Sequence, residues 1–532
     1  MFVPTPQRPG PRAARWLLTA AALLVPVLAP VAAPARTPPG VLVVGQVAEP
    51  KSLDPGAVTA LNDFRILVNL YDGLVRYRPG TLDVAPALAT EWDVSADGTV
   101  YTFHLREGVA FHDGTPFDAR AVTFTFDRML DPEHPQHGTG PFPLADFFFG
   151  HVREVTAVDP RTVRFRLDEP YAPFLSNLAY PTALIVSPAA VRERGAGFGR
   201  HPSGTGPFRF ARWDANRRVV VARNDAYWDG APKLDAVVFR PVTDPNTRVT
   251  EMLSGGLDLM LEVPPDHVAR FADAPRFRLL RKPGPHLWFL ILNTREGPFA
   301  DPRARRAVGR AIDREAQVDQ LLQGNAAVAT GVVPAAFAWA HDPDPAPVPH
   351  DPDQARALIR EAGKEGAEIT FYVAEGGSGM LDPVPMGTAI QADLARVGLK
   401  VTIETYEWNT YLRRVNGGLA GKADMAEMAW MTNDPDTLPY LALRKDAWPE
   451  AGGFNSGYYA NPEVDRLLEQ ARRTTDREAR GRLYRKMERI VQADAPWVVV
   501  ASGKQTAVIT DRVRGFSLEP SFSLLLRRVT KR

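Results

Sequence analysis

The chain has 532 residues, 45% hydrophobic and 23% charged, enough for a large core and more than one domain. Lys plus Arg (63) nearly cancels Asp plus Glu (62), so no charge excess points to nucleic acid or acidic lipid as a partner. With no cysteine, disulfides, thiolate zinc sites, iron–sulfur clusters and a cysteine nucleophile are excluded.

In chain order, the N-terminal stretch reads as a secretory signal peptide over 1–35. Arg8, Arg12 and Arg15 form a positive n-region with no acid before Glu49. The apolar run from Trp16 to Val31 is broken by Pro26 and Pro30, which argues against a membrane span of ~20 unbroken apolar residues. Small residues at Ala33-Pro34-Ala35 suit cleavage after Ala35. Loss of the three arginines takes the formal charge from +1 to −2. No cysteine follows the apolar run, so no lipid anchor is expected and the exported protein is soluble.

Residues 41–285 carry short strand signals separated by turns. Val41 to Val44 is a β-branched run ended by Gly45. Val100 to Leu105 alternates after the turn pair Asp97-Gly98, and Thr162 to Leu167 alternates apolar with polar. Val219 to Ala222 and Ala236 to Phe239 are further strands, while Asp63 to Leu74 and Ala119 to Leu130 read as helices. From about 290 the pattern turns to βαβ. Asp301 to Leu322 and Asp351 to Ala362 open with Asp-Pro, an acidic N-cap followed by proline in the first turn. Ile369 to Val373 and Val401 to Glu404 are strands around a helix at Thr388 to Val397. Pro462 to Ala471 and Glu478 to Ala493 are helices before the apolar strand Trp497 to Val500. A β-rich half followed by an α/β half predicts two lobes with a cleft between them.

Catalytic patterns are missing. There is no His-Glu-x-x-His, and Gly376-Gly377-Ser378-Gly379 lacks the last glycine of a nucleophile elbow. Ser502-Gly503-Lys504 lacks the rest of a phosphate loop, and the glycines at 195, 197 and 199 have the wrong spacing for a dinucleotide. His134 and His137 lie in a proline-rich turn that reads as a solvated loop. No enzyme, no cofactor and no metal site are expected.

One resemblance covers essentially the whole exported chain. Gly45 to Pro55 (GQVAEPKSLDP), Tyr71-Asp72-Gly73-Leu74-Val75 and Ala85 to Ala89 with Glu91-Trp92 come first. Thr99 to Val109, Phe111 to Phe117, Gly204 to Phe208 and Asn224 to Trp228 follow. Arg303 to Ala307, Ala311 to Arg314 and Phe454 to Asp465 complete the series. In this order they resemble the extracellular solute-binding proteins of the oligopeptide, dipeptide and nickel class, family 5, which serve ABC importers. The resemblance implies an α/β, two-lobed periplasmic-binding-protein fold of class II with an extra β-rich subdomain in the first lobe. The first lobe would span 41–287, with the extra subdomain at 79–203. The second would span 288–498, and 499–532 would return to the first. It further implies capture of a peptide or peptide-like solute, an inner-membrane permease as partner, a monomer and a periplasmic location. An opine, a sugar derivative or a metal chelate is the alternative ligand, and a ligand sensor the alternative role. Among the motif aromatics, Trp92 and Trp228 read as core.

The resemblance also names site residues. Relatives carry Trp, two residues and then an amine-binding Asp. Here Trp430 is followed by Asn433 at that position and by Asp434 next. Either Asp434 takes the amine, or the ligand has no free amine. Glu49 matches a pocket acid and Trp408 a pocket aromatic. Glu427 stands where a relative has a pocket arginine, and either lines the pocket or faces solvent on an alternating strand.

Overall fold

The computed structural model describes residues 37–532 apart from 273, 345–347 and 378. The expected signal peptide lies outside the described residues. One mixed 12-stranded sheet organises the rest. Its strands in chain order are β1 (Val41–Gln46), β2 (Phe208–Asp214), β3 (Arg218–Arg223), β4 (Ala236–Pro241), β5 (Leu259–Leu261) and β6 (Phe277–Pro283). Then come β7 (His286–Leu292), β8 (Ala326–Val328), β9 (Glu368–Ala374), β10 (Lys400–Tyr406), β11 (Met425–Met431) and β12 (Trp497–Thr510). Across the sheet the order is β10-β9-β11-β7-β12-β5-β1-β4-β3-β2, with β6 and β8 also paired to β12.

β12 joins the two halves. Trp497 to Ala501 pair antiparallel with β7, and Lys504 to Thr510 pair with β6. The partner changes at Ser502–Gly503, opposite the Gly284–Pro285 link between β6 and β7. Both links are tight. His286 is buried; the Gly503 amide donates to its Nδ1 at 2.9 Å, and the Ser502 hydroxyl donates to the His286 carbonyl at 2.8 Å. With Nδ1 accepting, Nε2 carries the proton and donates to the Gly379 carbonyl at 2.8 Å. A Cβ on residue 503 would stand 2.8 Å from that Nδ1, so the approach needs glycine.

The β-branched runs form strands buried on both faces. In β1, Leu42 and Val44 enter one core and Val43 another. In the second half, β7 splits the same way: Leu287, Phe289 and Ile291 face one core, Trp288, Leu290 and Leu292 the other. A separate four-stranded antiparallel sheet (Ala89–Val94, Val100–Leu105, Thr162–Leu167, Val152–Asp159) has its own aromatic core with the helix Ala119–Leu130. Gly98, at φ 71°, makes the turn into Val100–Leu105.

The helix expected from Asp301 to Leu322 is broken. Asp301 does cap Pro302–Ala311, its carboxylate accepting from the Arg303 amide. At Ile312 the backbone becomes extended, and Asp313 caps a second helical turn through the Ala316 amide.

Candidate functional site

The motif residues of the first half are mostly structural. Asp72 is buried and accepts from the hydroxyls of Thr205 (2.9 Å) and Tyr227 (2.8 Å) and from the Trp228 indole (3.0 Å). Three separated motif blocks thus meet on one carboxylate; burial raises its pKa and those bonds oppose the rise. Trp228 is only partly buried, with the Arg106 guanidinium 4.4 Å from its ring centroid. Asp54 is likewise buried and takes both its oxygens to Arg128, at 2.7 and 2.8 Å.

Between the halves lies a cleft with two chambers that share Leu82 as a wall. The wide chamber, about 1060 Å³, runs from Gly80–Asp83 and Lys282 to Leu287, Trp339, Arg477 and Arg485. The narrow one, about 220 Å³, is floored by Trp430, Met431, Thr432 and Asn433 at the end of β11 and covered by Tyr77, Phe147, Phe148, Tyr180 and Phe522. Trp430 is held by an edge contact with Phe454, ring centroids 5.5 Å apart. Asn433 is buried; its amide donates to the Asn177 side chain at 2.9 Å and its oxygen accepts from Thr437 at 3.0 Å.

Of the residues expected at the site, Trp430 and Asn433 line the narrow chamber. Asp434 turns away into a buried network. Its Oδ1 accepts from the Asp436 amide at 2.9 Å and from Arg480 Nη2. Its Oδ2 accepts from the Ser176 hydroxyl at 3.0 Å and from Arg480 Nη1 at 3.1 Å. Four donors fill the lone pairs of one carboxylate, so the amine-anchor role does not fit its surroundings. Asp436 and Arg472 form the neighbouring pair, at 3.4 Å. Arg472 also lies 3.5 Å from the Tyr440 ring centroid and 4.8 Å from that of Tyr171, which reaches in from the first half.

Glu427 does not face solvent: it is 0% exposed. Beyond Tyr372, β9 diverges from β11, and Glu427 Oε1 accepts the freed Ala374 amide at 3.0 Å. Burial pushes its carboxyl well above the usual range, and the bond from the Ala374 amide opposes that rise. Glu49 accepts from the Trp213 indole at 2.7 Å and from the Asn216 amide at 2.9 Å. Trp408 opens the helix Trp408–Asn416 and stacks on Tyr411, with planes 11° apart. Neither Glu49 nor Trp408 lines either chamber. The aromatic cover, Tyr77, Phe147, Tyr180 and Phe522, was missed because nothing in its local sequence separates a cavity wall from core.

The model of the bacterial extracellular solute-binding proteins, family 5 (middle) matches residues 83–449. The chain belongs to this family. Di/tripeptide-binding protein 2 of Pseudomonas aeruginosa is 32% identical over 499 residues, 91% of this chain and 93% of that one. Heme-binding protein A of Haemophilus influenzae is 32% identical over 85% of each chain. The structure of the periplasmic binding protein DppA from Helicobacter pylori in complex with the peptide STSA superposes with a TM-score of 0.78 at 30% identity. It covers 92% of this chain and 98% of that one. The family-5 chain therefore has the two-lobed periplasmic-binding-protein fold and is a transport protein rather than an enzyme. The family serves ABC permeases. Among the described residues, no helix is long and apolar enough to cross a membrane.

Proposed function

We propose that the chain captures a peptide or peptide-like solute in the cleft between its halves and delivers it unaltered to an inner-membrane ABC permease. The observation that carries this reading is the floor of the narrow chamber, Trp430 to Asn433, which lies where β11 runs out of the sheet beneath an aromatic cover from the first half. The DppA complex with STSA and the di/tripeptide relative support the peptide class. Export through a signal peptide cut after Ala35, a periplasmic location, a monomer and lobe boundaries at Gly284–Pro285 and Ser502–Gly503 belong to the same proposal. Trp430 and Asn433 are its ligand contacts. Equilibrium binding of the exported chain to a di- to pentapeptide panel, with mass spectrometry of the recovered solute, tests it. Saturable binding of intact peptide, weakened about ten-fold or more in Trp430→Ala, is the expected result. Cleaved peptide, or affinity unchanged by Trp430→Ala, would contradict it.

A further inference from the structure

Among the described residues, none that lines the narrow chamber is Asp, Glu, Lys, Arg or His; the polar side-chain groups on its wall are hydroxyls of Thr and Ser, two tyrosines, the Trp430 indole and the Asn433 amide. The nearest acids are committed elsewhere. Asp434 is saturated by four donors and neutralised by Arg480, and Asp436 faces Arg472. Glu427 caps the Ala374 amide beyond the chamber wall. Charged lining residues are confined to the wide chamber: Lys282, Arg477 and Arg485 with Asp83 and Glu478. A volume of about 220 Å³ suits one side chain or blocked terminus and not a whole peptide.

We propose that this narrow chamber houses an uncharged apolar or aromatic group of the solute, and that neither charged end of a zwitterionic peptide enters it. This rests on the solute-capture reading above. A terminal ammonium or carboxylate placed beside Trp430 and Phe522 would be stripped of water with no counter-charge to repay it. The aromatic faces return only part of that cost to an ammonium, and none of it to a carboxylate. An apolar ring meets walls of its own kind. The charged or polar part of the solute then extends past Leu82 into the wide chamber. An N-terminal residue whose side chain fills the chamber keeps its own ammonium against the same uncharged wall, so the favoured solute class is a peptide with an apolar or aromatic N-terminal residue and that amine blocked, as in an N-acyl peptide.

Calorimetric titration with matched pairs tests this. Each di- or tripeptide, carrying Phe, Trp or Leu, is offered as the free zwitterion and as its N-acetyl form. The N-acetyl forms are expected to bind at least about ten-fold more tightly. Equal or tighter binding of the free-amine forms overturns the proposal and leaves the capture reading standing. No binding of either form across the panel overturns both. In Asn433→Asp, which places a carboxylate in the chamber, the preference should reverse. An unchanged preference in that variant, with its melting temperature intact, overturns the placement of the group in the chamber.

Discussion

Asp434 illustrates how one partner decides what a residue does. Its carboxylate is 2% exposed and answered by the Arg480 guanidinium, itself 5% exposed. Arg480→Ala leaves a buried carboxylate without a counter-charge, so it should lower stability by about 3–5 kcal/mol in urea unfolding. The paired change Arg480→Met with Asp434→Leu should return most of that loss, because both charges go together. His286 supplies a pH prediction. Burial lowers its pKa from the ordinary 6.5 to about 4. The unfolded chain therefore binds the extra proton first as pH falls. The contribution is whole above pH 6.5 and is lost progressively from 6.5 down to about 4. Wild type should lose about 2 kcal/mol more between pH 7 and pH 5 than His286→Gln does. Half-buried His112, also held to about 4, adds in the same direction in both proteins.

At the scale of elements, local chemistry was readable and distant partnership was not. Val100–Leu105 and Thr162–Leu167 stand where their alternation placed them, because one face of each strand meets the aromatic core of the extra sheet. Asp301 and Asp351 cap their helices as the Asp-Pro openings predicted. The break after Ala311 was hidden, since the apolar spacing continues through it and only Asp313's own cap marks it. The candidate site was legible to the extent of Trp430, on the strand that reaches the cleft, and Asn433 just beyond its end. The commitments of Asp434 and Glu427 were illegible, because their partners lie 46 and 53 positions away in sequence. The crossing between halves gives a prediction at this scale. In Gly503→Ala the added methyl meets His286 Nδ1 at 2.8 Å and Leu381 at 3.0 Å. Thermal unfolding should show a loss of about 1–3 kcal/mol.

For the whole molecule, closure of the halves rests on contacts of unequal weight. The Arg473–Glu169 and Arg477–Asp83 pairs cross the cleft at 2.7 and 2.6 Å, but their side chains are largely exposed. Removing either should change stability by less than about 1 kcal/mol. Arg472, buried between Tyr171 and Tyr440 beside Asp436, holds the halves together more firmly. A solute seated between the halves adds to these contacts and stabilises the closed form by mass action.

The measurement that bears most directly on solute capture is a thermal-shift screen of the exported chain. Di- to pentapeptides, free and N-acetylated, would be compared with an opine, a sugar derivative and a metal chelate. A peptide at 100 times its dissociation constant should add ~2.7 kcal/mol of stability, a rise of roughly 2–4 °C in melting temperature, which Trp430→Ala should cut to about half or less at the same peptide concentration. A rise with a non-peptide solute and none with any peptide would contradict the account.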